Sequence, residues 1–122
     1  MALRRSSPGG QALVSPTHPH PRLDFGDMAA VGLLTLEVYI PGVASLKEKR
    51  GIVKPVVARI RKEFNVSVAE VEDMDQLGHM VIAVAAVSSS AEYIHGLLQR
   101  VAESVEAWRL DAELVDYTIE ML

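Results

Sequence analysis

The sequence predicts an α+β sandwich, in which two helices cover one face of a four-stranded antiparallel sheet. Four segments carry the β-branched and apolar residues typical of strands, and two carry apolar residues at helical spacing. The helical segments follow the first and third strands, so the order is β-α-β-β-α-β. Two strands are apolar on both faces and two alternate, which assigns the former to the centre of the sheet and the latter to its edges.

The first strand is predicted at residues 31–40, VGLLTLEVYI, and ends at a Pro-Gly turn. A capping box begins the first helix. The Ser45 hydroxyl accepts from the third helical amide, and Glu48 reaches back to the Ser45 amide. Pro55 lies in the middle of this helix and removes a hydrogen bond. One kinked helix is therefore expected, and two shorter helices are the alternative.

The second half repeats the pattern. Residues 65–68 alternate between polar and apolar side chains, which predicts a short strand. Residues 79–87 carry apolar side chains at both odd and even positions, which predicts a central strand. Ser89 and Glu92 form a second capping box at the start of the second helix. The chain ends in an alternating strand at 114–122. Its alternation predicts one shared face for Val115, Tyr117, Ile119 and Met121.

Strand order 4-1-3-2 places the two strands that are apolar on both faces in the centre of the sheet, and it allows both β-α-β crossovers to be right-handed. This arrangement is the ferredoxin-like βαββαβ sandwich, with both helices on one face. The open face is then predicted to carry Val31, Leu33, Val81, Ala83, Ala85 and Val87. An apolar open face needs a cover, so we expect a homo-oligomer that pairs two open faces across a two-fold axis.

The length and composition of the chain indicate how many domains it can form. The chain has 122 residues and no cysteine, which suits one domain and excludes a disulfide scaffold or a cysteine nucleophile. Residues 1–27 hold four of the six prolines and few apolar residues, which predicts a disordered tail before a domain at 28–122. Alternatively, the start codon is assigned too far upstream, since Met28 opens the folded part.

The longest unbroken apolar run has eight residues, and a membrane-spanning helix needs about 20. We therefore expect no membrane association and a cytoplasmic location. The formal net charge of −4 excludes a nucleic-acid-binding protein that is basic over its whole surface.

The first helix is unusually basic. It holds seven of the twelve Lys and Arg residues, and Glu48 alone opposes them between residues 47 and 62. Several of these cations fall within about 60° of arc beside the apolar face. Such a stripe suits phosphate contact, and a solvated face balanced by acids elsewhere is the alternative. The predicted nucleic-acid-binding residues are Lys47, Lys49, Arg50, Lys54, Arg61 and Lys62.

An acidic group follows the second strand. It comprises Glu70, Glu72, Asp73 and Asp75. Its oxygens could bind a hard cation, but it lacks EF-hand spacing, so we favour a polar hairpin loop or salt-bridge partners for the basic helix. We expect no metal, no cofactor and no catalytic residues.

Three segments together resemble a known family. SLKEKR at 45–50, FNVSVAEV at 64–71 and ELVDYTIEML at 113–122 are similar to the YlxP-like family of small bacterial proteins of unknown function. The resemblance implies a ferredoxin-like fold. Genes of this family often lie beside those for translation initiation and ribosome maturation, which implies a role near RNA or the ribosome.

These observations predict a non-enzymatic protein that binds RNA or a ribosomal particle through its first helix. The alternative is a protein-interaction module whose basic helix docks an acidic partner. An enzyme remains possible only if an oligomer builds a site from two chains.

Overall fold

The computed structural model describes residues 29–72, 76–108 and 110–122. Its elements are β1 (Ala30–Tyr39), α1 (Leu46–Glu63), β2 (Ser67–Glu72), β3 (His79–Ser88), α2 (Ala91–Ala107) and β4 (Glu113–Met121). The sheet is antiparallel throughout, in the order β2-β3-β1-β4. This confirms the predicted ferredoxin-like order. The predicted tail at 1–27 lies outside the described residues.

The core lies between the sheet and the two helices. Strand side chains alternate between faces, and the even positions of β1 and β3 face the helices. Leu34 and Leu36 of β1 and Ile82 and Val84 of β3 are fully buried there. The odd positions form the open face, and all six residues predicted for it lie on that face by register.

The first helix is continuous, and Pro55 lies inside it, so the predicted alternative of two pieces is wrong. Ser45 caps the helix as predicted, accepting from the Glu48 amide at 3.1 Å. The Glu48 carboxylate differs from the prediction, because it accepts from the Ala44 amide at 2.6 Å. The extended backbone of Ser45 brings that preceding amide toward the first turn.

The second helix begins one residue later than the predicted capping box. Its cap is Ser90, whose hydroxyl accepts from the Tyr93 amide at 3.1 Å. The reason lies in β3, which continues to Ser88. The Ser88 hydroxyl accepts from the Ser90 amide and thereby holds the start of the helix at that position.

A β-bulge changes the predicted faces of β4. Val38 pairs with Leu114, whereas Glu37 pairs with Asp116, so Val115 is the extra residue. Val115 is 59% exposed, and Leu114 packs against the core in its place. The prediction that Val115 shares a face with Tyr117 is therefore wrong, since a bulge shifts the alternation by one residue.

Two glycines offer opposite tests of this packing. A Cβ at Gly32 would lie 2.6 Å from Ile94 Cγ2 and 2.8 Å from Leu98 Cδ1, whereas a Cβ at Gly51 would meet nothing within 4 Å. We expect Gly32→Ala to lower the free energy of unfolding by about 1–3 kcal/mol, because both neighbours are buried. Gly51→Ala should raise it by about 0.5–1 kcal/mol. Urea unfolding of both variants measures the difference, and a neutral Gly32→Ala would contradict the close packing of α2 on β1.

Candidate nucleic-acid interface

Helix α1 packs on the sheet through one side. Lys49, Val53, Val56 and Ile60 are its buried residues, at the spacing of a single helical face. Ile52 and Val57, which flank this face, are partly buried against the core. The opposite, outer side of the helix is exposed among the residues that the structure describes.

Five predicted cations lie on this outer side. We call them the basic face: Lys47, Arg50, Lys54, Arg61 and Lys62, all of them exposed. From Lys47 to Lys62 the helix rises about 22 Å. None of the five forms an ion pair with another described residue. The positive charge of the face is thus not cancelled by the described parts of the chain.

Arg61 has a second contact. Its Nη2 donates to the carbonyl oxygen of Val68 at 3.0 Å. Val68 belongs to β2, which is an edge strand of the sheet, and an edge strand leaves backbone groups without a strand partner. Arg61 therefore satisfies one of these groups while its guanidinium stays at the surface.

Lys49 is a correction to the predicted interface. It is 2% exposed, and its Nζ lies 3.3 Å from Oε2 of Glu70 and donates to the Gln76 carbonyl at 2.6 Å. The physical reason is its place on the helix, since it precedes Val53 by four residues and so shares the buried face. Helical spacing in the sequence contained this signal, which a count of cations overlooks.

Arg59 is likewise engaged within the protein. Its Nε donates to Glu63 at 2.9 Å, and its guanidinium carbon lies 4.0 Å from the centroid of the Trp108 ring. The contact joins the end of α1 to the residue that follows α2. Arg59 was not among the predicted interface residues.

The acidic group divides between different parts of the fold. Glu70 is the salt-bridge partner of the basic helix that the sequence suggested, and Glu72 lies on the open face of the sheet. Asp73 and Asp75 lie outside the described residues. Within those residues, no group of three His, Cys, Asp or Glu side chains is arranged to hold a metal ion.

A family model for "Protein of unknown function (DUF503)" matches residues 31–119. The chain belongs to this family. The DUF503 match contains α1 whole, so the basic face lies inside the family's domain. "Uncharacterized protein YlxP" of Bacillus subtilis strain 168 is 35% identical over 78 residues, which are 64% of this chain and 85% of that protein. The predicted resemblance to the YlxP-like family is confirmed.

Neither helix in the described parts of this DUF503 chain is long and apolar enough to cross a membrane.

The Lys49–Glu70 ion pair yields a prediction about stability. Lys49→Met should lower the free energy of unfolding by about 2–4 kcal/mol, because it leaves the Glu70 carboxylate largely buried without its cation. Replacing both residues, as Lys49→Met with Glu70→Leu, should recover most of that loss. Thermal unfolding of the single and double variants measures both values.

The control is Lys54→Met, which removes an exposed cation from the same helix and should change stability by less than about 0.5 kcal/mol. Equal losses from Lys49→Met and Lys54→Met would show that the buried pair does not stabilise the fold.

Proposed function

We propose that the protein binds RNA by its phosphates through the basic face of α1, at the ribosome or on ribosomal RNA, without catalysing a reaction. The observation that carries this proposal is the set of five exposed cations on one helix, none paired with a described acid. Each phosphate that such cations neutralise adds affinity that does not depend on the base sequence. The gene neighbourhood of the YlxP-like family supports RNA as the source of the phosphates.

The geometry of α1 suits a phosphate backbone. Lys47, Lys54 and Arg61 recur every seven residues, so they are spaced by about 10 Å along one side of a rigid rod. Glu48 accepts from the Ala44 amide and Glu63 from Arg59, and both acids lie about 100° or more around the helix from these three cations. A polyanion along this side of the helix therefore meets cations without an intervening carboxylate.

The sheet does not offer the alternative RNA surface. Sheets of this topology that recognise single-stranded RNA stack bases on aromatic side chains of their central strands. On the open face, β3 carries no aromatic residue and β1 carries only Tyr39, at its end. Carboxylates on the same face, such as Glu37 and Asp116, also repel phosphate. The helix is therefore the surface that we assign to RNA.

Salt dependence tests this proposal. Phosphate contacts release counterions, so the logarithm of affinity should fall linearly with the logarithm of salt concentration. Four phosphate contacts, one each from Lys47, Arg50, Lys54 and Arg61, predict a slope of about −3 for single strands and about −4 for a duplex. Lys54→Glu should reduce the magnitude of the slope by about 1, and Arg50→Glu with Lys54→Glu by about 2. Fluorescence anisotropy with labelled ribosomal RNA fragments, across a salt series, measures these slopes.

The matched control is Arg100→Glu, which makes the same change in net charge at an exposed position on α2. It should leave the slope unchanged. Equal effects of Lys54→Glu and Arg100→Glu would indicate a response to net charge alone and would contradict the assigned interface. If the wild-type protein binds no RNA at any salt concentration, the proposal fails, and an acidic protein becomes the better ligand for this helix.

A further inference from the structure

The helix that carries the basic face contains no aromatic residue. Residues 46–63 include no phenylalanine, tyrosine or tryptophan. Phe64, which follows the helix, packs against the core, and the Arg59 guanidinium lies over the Trp108 ring, 4.0 Å from its centroid. Proteins that bind single-stranded nucleic acid combine a basic groove with aromatic side chains on which the bases stack. The basic face has the charges for such binding but not the rings.

Small residues lie along the line of α1 that is farthest from the sheet, which we call the crest of the helix. At 100° per residue, Gly51 and Ala58 lie almost opposite the centre of the buried face, and both are exposed. A Cβ at Gly51 would meet nothing within 4 Å. Lys47, Lys54 and Arg61 follow one side of this crest, within about 80° of arc. A wide and stiff ligand can therefore lie against the helix itself while these cations reach its phosphates.

The cations are carried at fixed positions. Lys47, Lys54 and Arg61 are spaced by about 10 Å along one continuous helix. A duplex also holds its phosphates at fixed positions, at about twice the density of one strand. When two ordered arrays bind each other, little conformational entropy is lost. A flexible single strand would have to be ordered along the helix, and stacking on α1 could not offset that loss.

We propose that the RNA bound by the basic face is double-stranded, and that α1 lies against the duplex and contacts its phosphates without reading its bases. This inference rests on the proposed function, because it names the class of RNA that the same surface takes. Double-stranded RNA is recognised mainly by its shape and by phosphate and 2′-hydroxyl contacts. Exposed lysines and arginines beside a crest of small residues supply such contacts without aromatic rings.

A comparison of paired and unpaired RNA tests the inference. Fluorescence anisotropy with the full chain compares a blunt RNA duplex of about 16 base pairs with each of its two component strands, and the duplex should bind more tightly than either strand. Each contact contributes about 0.9 to the salt slope for a duplex and about 0.7 for a single strand. With four contacts, the preference for the duplex should grow about six-fold when the salt concentration falls ten-fold.

Ala58→Met tests the contact at the crest without a change of charge. The larger side chain would stand between Lys54 and Arg61 and hold a duplex away from them. Duplex binding should weaken by about eight-fold at about 0.1 M salt, as for the loss of one phosphate contact. The flexible single strand can pass around the added side chain, so its affinity should not change.

The matched control is Ala91→Met, which makes the same exchange at an exposed position at the start of α2. It should leave duplex binding unchanged. Thermal unfolding should give the same midpoint for both variants and the wild type, because both positions are exposed.

Two outcomes would overturn the inference while RNA binding itself stands. One is a single strand that binds as tightly as the duplex across the salt series. The other is an equal effect of Ala58→Met and Ala91→Met on duplex binding. If neither the duplex nor its strands bind at any salt concentration, the proposed function fails, and the inference fails with it.

Discussion

The burial of alternate residues in the two central strands is the constraint on which the rest of this structure depends. Leu34 and Leu36 of β1 and Ile82 and Val84 of β3 have no exposed surface, because two amphipathic helices cover them. Since side chains alternate along a strand, this burial also determines which residues face outward. A slip of one residue in register would exchange the two sets and put Glu37 into the core. The exposed position of the outer side of α1 follows from the same arrangement, because the other side of the helix covers this core.

The same constraint keeps opposite charges apart. Lys47, Arg50, Lys54 and Lys62 of α1 are exposed on the helix side of the fold, and the strand carboxylates other than Glu70 lie on the far side of the sheet. Within the described parts of the chain, Lys49–Glu70 and Arg59–Glu63 are ion pairs between side chains. The sheet and its apolar core lie between the basic face and the carboxylates on the far side of the sheet. Each surface therefore retains its own potential, although the whole chain has a formal charge of only −4.

Most of the fold could be predicted from the sequence, because strand alternation and helical spacing are local consequences of burial. The strand order followed from which strands are apolar on both faces. Val115 could not be placed, since its exposure results from a bulge in the pairing of β1 with β4, and pairing irregularities leave no local pattern. The role of α1 as an interface stays a prediction. The structure corrects one of its residues, because Lys49 lies four residues before Val53 on the buried face and pairs with Glu70, a partner that the sequence did not identify individually.

Part of the basic run of α1 has a structural role, which accounts for some of its one-sided composition. Lys49 near one end of the helix holds α1 to Glu70 of β2, and Arg61 near the other end holds it to the Val68 carbonyl of the same strand. Arg59 joins α1 to Trp108 beyond α2. These contacts hold α1 near both of its ends and on its flank. The helix that carries the exposed cations is therefore already ordered before a ligand binds. Preorganisation of this kind reduces the entropy lost on binding. A helix fastened only by apolar contacts would present the same charges, but it would lack the two polar contacts that fix its direction along the edge strand.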